Sequence, residues 1–177
     1  MKKSSTILLI ALFASMVPLA NFLISNVGTT CVPNGPCLIP VFPGVMAPSG
    51  VLAIGLALVL RDMVQLRIGL KPTLALVIIG CCISYLISYR DLAIASASAF
   101  IVSEVVDTVF FTLIIKRLGL YFAILVSGVF GAVIDSVVFL QLAFGNIEFI
   151  EGQIIGKLLA TVVGIVIIWA IKRTSAA

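Results

Sequence analysis

Histidine is absent from this 177-residue sequence, so neither a Ser-His triad nor a histidine-bearing metal centre can be assembled from it. It also lacks a glycine-rich phosphate loop, which excludes an ATP-driven motor within the chain. No run joins a base to an exposed nucleophile, so no catalytic residue, cofactor or enzymatic activity is expected. Charge is equally scarce. Lys and Arg number 11 and Asp and Glu 7, together 10% of the residues, where a soluble domain carries about a quarter. What fills the sequence is apolar: 62% of it, with a mean hydropathy of +1.33. Such a chain needs a bilayer as solvent. At ~20 residues per crossing, its length allows about six crossings and little else.

The apolar segments run at 5–27, 47–66, 72–89, 92–115, 119–143 and 150–171, which predicts an all-α bundle of six transmembrane helices forming a single domain over 1–177. With a cytoplasmic N-terminus, one side receives Lys2, Lys3, Arg67, Lys71, Lys116, Arg117, Lys172 and Arg173, with Arg61 approaching it from within the second helix. The other side receives Arg90 as its only loop cation, beside Asp91, Glu148 and Glu151. By the positive-inside rule both termini are cytoplasmic. The net charge of +4 is then a topology signal, and direct contact with nucleic acid is not expected. Lys2 and Lys3 followed by Ile7 to Phe13 imitate a secretory signal. The apolar stretch continues through Phe22 to Ile24, long enough to span, so it is read as the first helix, kinked at Pro18.

The longest connection, Val27 to Met46, lies outside and holds Gly28, Gly35 and Gly44 with Pro33, Pro36, Pro40 and Pro43. It reads as an ordered surface loop or lid. Cys31 and Cys37 bracket a turn, a spacing open both to a small disulfide-closed loop and to two free thiols. Cys81 and Cys82 sit inside the third helix, where burial is expected. Two cysteines in each place do not make a metal site.

Within lipid an ionised side chain is costly, so each one asks for a partner or a wet cavity. In the fourth helix, Glu104 and Asp107 are three apart and project from one face, with Phe100 and Phe111 four residues outside each. Carboxylates so close repel one another, unless a proton, a hydroxyl such as Thr108 or a cation on another helix intervenes. Asp135 of the fifth helix and Lys157 of the sixth lie at similar depth on antiparallel neighbours and read as an ion pair, either structural or in contact with a substrate. Asn21 of the first helix could join them. Gln141 and Gln153 read as solvated at the outer interface. In the second helix, Arg61, Asp62 and Gln65 occupy the cytoplasmic third: Arg61 either snorkels to the interface or belongs to an inner gate or network with Asp107. Gly50 with Gly55, Gly128 with Gly131 and Gly156 with Gly164 permit close helix approach, and Trp169, Tyr121, Tyr85 and Tyr89 fall where interfacial anchors do.

Ala47-Pro48-Ser49-Gly50-Val51, the run Gly55 to Gln65 containing Arg61-Asp62, Ala99-Phe100 leading into Ser103-Glu104-Val105-Val106-Asp107, Val133-Ile134-Asp135-Ser136 and Gly152-Gln153-Ile154-Ile155-Gly156-Lys157 resemble the vitamin-uptake-transporter-like family that includes the queuosine precursor transporters. The resemblance spans residues 5–172. It implies a six-helix inner-membrane importer of 7-deazaguanines, chiefly 7-cyano-7-deazaguanine, and the cysteine-bearing outer loop departs from it. A guanine-like edge offers an N1-H and an amino group side by side, which one carboxylate can accept together. Glu104 is the first candidate for that contact and Asp107 the second. Asn21, Lys157 or Arg61 could supply donors, and Phe100 or Phe139 could stack on the heterocycle. The residues leave the mode of transport open among a facilitator, a proton-coupled importer and the substrate-binding subunit of an energy-coupling-factor importer, for which Ala11 and Ser15 offer only a small docking face. They are also compatible with a non-transporting assembly protein. A small-molecule substrate, lipid and protons are the partners considered, for a monomer or a homodimer.

Overall fold

Six helices stand among the residues described: α1 (Lys3–Asn26), α2 (Val51–Ile68), α3 (Leu70–Ile87), α4 (Arg90–Leu118), α5 (Leu120–Phe144) and α6 (Ile150–Thr174). The computed structural model covers residues 3–33, 35–87 and 90–174, with the side chains of all of these except 3, 4, 87 and 171–174. Lys2 and Tyr89 therefore lie outside the described residues, as do the side chains of Lys3, Lys172 and Arg173. Ser5–Asn26, α4, α5 and Ile150–Ala170 are each long and apolar enough to cross a membrane, and α2 and α3 are helices of 18 residues. The protein is a multi-pass helical membrane protein. Its helices turn small side chains such as Ala57, Ala99 and Ala132 inward and leave Leu86, Val105, Leu113 and Phe122 exposed. That is how a bundle is organised when lipid, rather than water, surrounds it.

Helix ends follow from local chemistry. α2 passes into α3 through Gly69 alone (φ 86°, ψ 171°), and α4 into α5 through Gly119 alone (φ 80°, ψ 177°). A side chain at either position would oppose that backbone, so glycine is what allows a one-residue reversal. Each glycine amide still donates back into the preceding helix, Gly69 to the Gln65 carbonyl at 2.9 Å and Gly119 to that of Ile115 at 3.2 Å. Pro18 lies within a continuous α1. α4 and α5 pack along most of their length, and α2 lies against both α1 and α6. At the last of these contacts a Cβ on Gly55 would come within 2.6 Å of Ala160 Cβ and 2.8 Å of the Lys157 carbonyl oxygen. Glycine there brings the two backbones together.

The connection between α1 and α2 corrects two sequence expectations. It is a three-stranded antiparallel sheet, β1 (Thr30–Cys31), β2 (Cys37–Phe42) and β3 (Val45–Pro48), so the molecule is not purely α-helical. Residues 47–50 belong to that strand and the turn after it, and α2 begins at Val51 rather than at 47. Cys31 and Cys37 are directly opposite in the ladder and are joined by a disulfide. Pro43 and Gly44 (φ 77°) make the second turn. The sheet lies on the N-terminal end of α6, where Gly156 leaves room for Val41 and Val51.

Candidate functional site

Two buried polar groups lie at different depths. The deeper one is built on Arg61, which occupies the side of α2 that faces inward and is 0% exposed, so the snorkelling alternative does not hold. Its Nε donates to Glu104 Oε2 at 2.5 Å, and its Nη1 donates both to Asp62 Oδ1 at 2.9 Å and to Asp107 Oδ2 at 2.8 Å. Nη2 donates to the hydroxyl of Thr108. Glu104 is the central residue of α4, about 21 Å from either end of that helix by its rise. All three carboxylate partners of Arg61 are at most 2% exposed. With five N–H donors in a fixed fork, the guanidinium holds three acids and the Thr108 hydroxyl at once, one partner more than the three donors of a lysine ammonium. Thr108 therefore serves the cation and does not cap the acid pair. Asp107 faces Gly131 of α5, where an added Cβ would lie 3.5 Å from Oδ1. Glu104 Oε1, Asp107 Oδ1, Ser127 Oγ and, one turn further along α2, Gln65 Oε1 are buried without a hydrogen-bond partner among the described residues.

The second group lies nearer the sheet. Lys157 Nζ donates to Asp135 Oδ2 at 2.6 Å and to Ser136 Oγ at 2.8 Å. The two meet because Lys157 is seven residues into α6 and Asp135 nine residues before the end of α5. Asp135 Oδ1 is left with a single long contact of 3.5 Å from Ser103 Oγ. Asn21 does not join the ion pair: its amide donates to Ser84 Oγ at 2.5 Å and its carbonyl oxygen accepts from Ser96 Oγ at 2.6 Å.

Asn21 and Asp135 nevertheless share one cavity, lined among others by Ser96, Phe100, Phe139 and Gln153. The Phe100 ring is held by Phe13, with centroids 6.3 Å apart, and Phe139 by an edge-to-face contact with Phe144 at 5.7 Å. Free space within it is about 20 Å³, room for one water molecule. As it stands the cavity is too small for a drug-sized ligand. Gly50 and Val51, which follow the sheet directly, form part of its wall.

Of the residues that the sequence marks out, Asn21, Phe100 and Asp135 come together at the cavity, with Lys157 behind Asp135. Glu104, Asp107, Arg61 and Asp62 come together in the deeper hub, with Gln65 below it. Gln153 is not solvated as expected but 2% exposed and in the cavity wall, whereas Gln141 is exposed. Cys81 is buried and Cys82 is exposed. Ser84 and Ser96 carry no such mark, and Ser103 and Ser136 stand out only as parts of longer motifs, because serine is common in membrane helices and its role depends on which neighbour it faces. Among the described residues no group of His, Cys, Asp and Glu is arranged to hold a metal ion.

Residues 88–172, just under half of the chain, match the model of a family described as "Putative vitamin uptake transporter". The match covers α4 to α6 and so includes Phe100, Glu104, Asp107, Asp135, Gln153 and Lys157. No curated protein and no solved structure matches the chain.

Proposed function

We propose that this protein imports 7-deazaguanines, the queuosine precursors exemplified by 7-cyano-7-deazaguanine, across the inner membrane, as a self-sufficient secondary transporter and not as an enzyme. The observation that carries this reading is the cavity between Phe100 and Phe139, where a carboxylate with a nearly unoccupied oxygen stands beside two side-chain amides. Asp135 Oδ1 accepts the N1-H and the exocyclic amino group of the guanine-like edge, replacing the long contact from Ser103. Asn21 and Gln153 answer the remaining donors and acceptors, and the phenyl rings stack on the flat heterocycle. Glu104 and Asp107, the first candidates by sequence, are engaged by Arg61 and contribute to the hub beneath. A base with a different edge leaves the buried carboxylate without its donors, at a cost of about 1–3 kcal/mol or more. Adenine is therefore discriminated against.

The chain crosses the membrane six times with both termini inside. In support, Arg67 and Lys71 flank the α2–α3 turn, and Lys116 and Arg117 precede the α4–α5 turn, so four cations gather at one end. Glu148 and Glu151 are exposed at the other. Because the cavity holds no more than a water molecule, substrate enters through an outward-open or inward-open form that this conformation separates.

The test uses purified full-length protein. It should bind 7-cyano-7-deazaguanine in solution, with guanine competing and adenine not, and should carry the radiolabelled compound into liposomes that contain no other protein. Asp135→Asn should remove binding while the protein remains monodisperse. Absence of binding by wild-type protein sinks the proposal, and uptake that requires added ATPase subunits sinks its self-sufficient form.

A further inference from the structure

Charge in the deeper hub does not balance. Arg61 is the only cation there among the described residues, and it is shared by Asp62, Glu104 and Asp107, so the ionised hub would carry a formal charge of −2 in a space closed to water. Burying one uncompensated carboxylate is already prohibitive, and two more so. The groups facing it do not make up the deficit. From α3 comes Cys81, from α4 Ser103 and Thr108, from α5 Ser127 and, one storey outward, Asp135, whose charge is matched by Lys157 of α6. On α2 itself the neutral Gln65 follows, and Arg67, in the last turn of the helix, donates to the Thr6 hydroxyl at 3.4 Å and not to the hub. Geometry identifies where added positive charge can sit. Asp62 and Asp107 both accept from the same nitrogen, Nη1 of Arg61, at 2.9 and 2.8 Å. Two carboxylates drawn onto one donor are placed to share a proton, the arrangement that acid dyads use. Asp107 Oδ1 and Glu104 Oε1, both buried and unpartnered, are further oxygens a proton can occupy. A metal ion is not the answer, since the described acids form no ligating group.

We infer that the Arg61 hub is a proton-binding site, with an exchangeable proton held between Asp62 and Asp107, and that import through the overlying cavity is coupled to its uptake and release. This deepens the importer reading and rests on it for the coupling, though not for the proton site. Ser103 connects the two storeys: it is next to Glu104 in the chain and its hydroxyl reaches Asp135 Oδ1, the oxygen assigned to the substrate. Binding of the heterocycle to Asp135 thereby withdraws that oxygen from Ser103 beside the hub. In the inward direction Gln65, one turn from Asp62 along α2, is the polar side chain by which the proton leaves.

Two measurements test this on full-length protein. Infrared difference spectra of wild-type protein in liposomes, recorded between acidic and alkaline buffer without substrate, should show a protonated-carboxyl band that diminishes on deprotonation. The band should be lost or displaced in both Asp62→Asn and Asp107→Asn, isosteric changes that keep the hub's volume. No such band, or one unchanged in both variants, overturns the proton site whatever the protein transports. In the second measurement an inward proton gradient should drive accumulation of radiolabelled 7-cyano-7-deazaguanine at least about tenfold above equilibration, equivalent to about 1.4 kcal/mol drawn from the gradient, and collapse of the gradient by a protonophore should abolish it. Uptake that only equilibrates, indifferent to the gradient, overturns the coupling and leaves the importer reading standing. The band without any uptake supports the proton site and sinks the importer reading instead.

Discussion

Replacing Lys157 with alanine removes the cation paired with Asp135. In the native protein Nζ makes hydrogen bonds of 2.6 Å to Asp135 and 2.8 Å to Ser136, with both ionic partners buried. After the change Asp135 Oδ2 loses that donor and Oδ1 keeps only the 3.5 Å approach of Ser103. Removing one partner of a buried ion pair costs about 3–5 kcal/mol, and placing an acid at the middle of a membrane helix independently costs about 3 kcal/mol. Taking ~3 kcal/mol, and ~2–4 °C of Tm per kcal/mol for a chain of this size, the melting temperature in detergent should fall by about 6–12 °C. Asp135→Ala in the same chain deletes the stranded charge as well. The double variant should then regain at least half of the loss, because what remains is two vacated side-chain volumes and not an unpaired ion. The assay is a thermal melt of four purified proteins, wild type, two single variants and the double variant, followed by loss of monodispersity. A Lys157→Ala protein that melts like wild type, or a double variant that melts no higher than it, refutes the pairing as an energetic unit.

Arg61→Lys should fail to accumulate as folded protein despite keeping the charge, because a single ammonium cannot reach Asp62, Glu104, Asp107 and Thr108 together; wild-type yield and a monodisperse gel-filtration peak would contradict this. Gly55→Leu should drive α2 from α6 and cost about 1–3 kcal/mol, read as a Tm below that of a control change on the exposed face of the same helix, Leu52→Ala. A thiol count on unreduced, denatured protein should give two, from Cys81 and Cys82, and a count of four would remove the Cys31–Cys37 bridge.

Much of the helical frame is legible in the sequence, since apolar runs broken by Gly69 and Gly119 leave few choices. The expected 92–115 and 119–143 correspond to Arg90–Leu118 and Leu120–Phe144. The start of α2 is not legible in the same way, because Val45 to Pro48 are as apolar as a helix. The informative sign lies earlier, in the Pro43-Gly44 turn; the alternating exposure of Ile39 to Phe42 that a strand imposes is not written in the sequence, because Cys37 to Phe42 include no polar residue. For the site, scarcity of charge is enough to find Arg61, Asp62, Glu104, Asp107, Asp135 and Lys157. It does not say which acid meets which cation. Asp135 and Lys157 stand on sequential helices joined by a short loop, so depth alone brings them together. Arg61 and Glu104 are 43 residues apart, and only the packing of the bundle decides that the long guanidinium turns inward to α4 and not outward to the interface. The same packing takes Gln153 from the surface its position suggests and places it in the cavity wall.

The two single-glycine turns have a kinematic consequence. At the end of the bundle bearing Arg67, Lys71, Lys116 and Arg117, α2 is tied to α3 and α4 to α5 with no spare chain, whereas at the opposite end α1 reaches α2 through a whole sheet and α5 reaches α6 through five residues. Among the connections described, slack therefore lies on one side only. Within each hairpin the helices can splay like the legs of a compass, pivoting at Gly69 and Gly119, but they cannot part at the pivot. Gaping on the sheet side needs only rotation about these points. Opening on the other side has to occur between hairpins, with each moving as one piece.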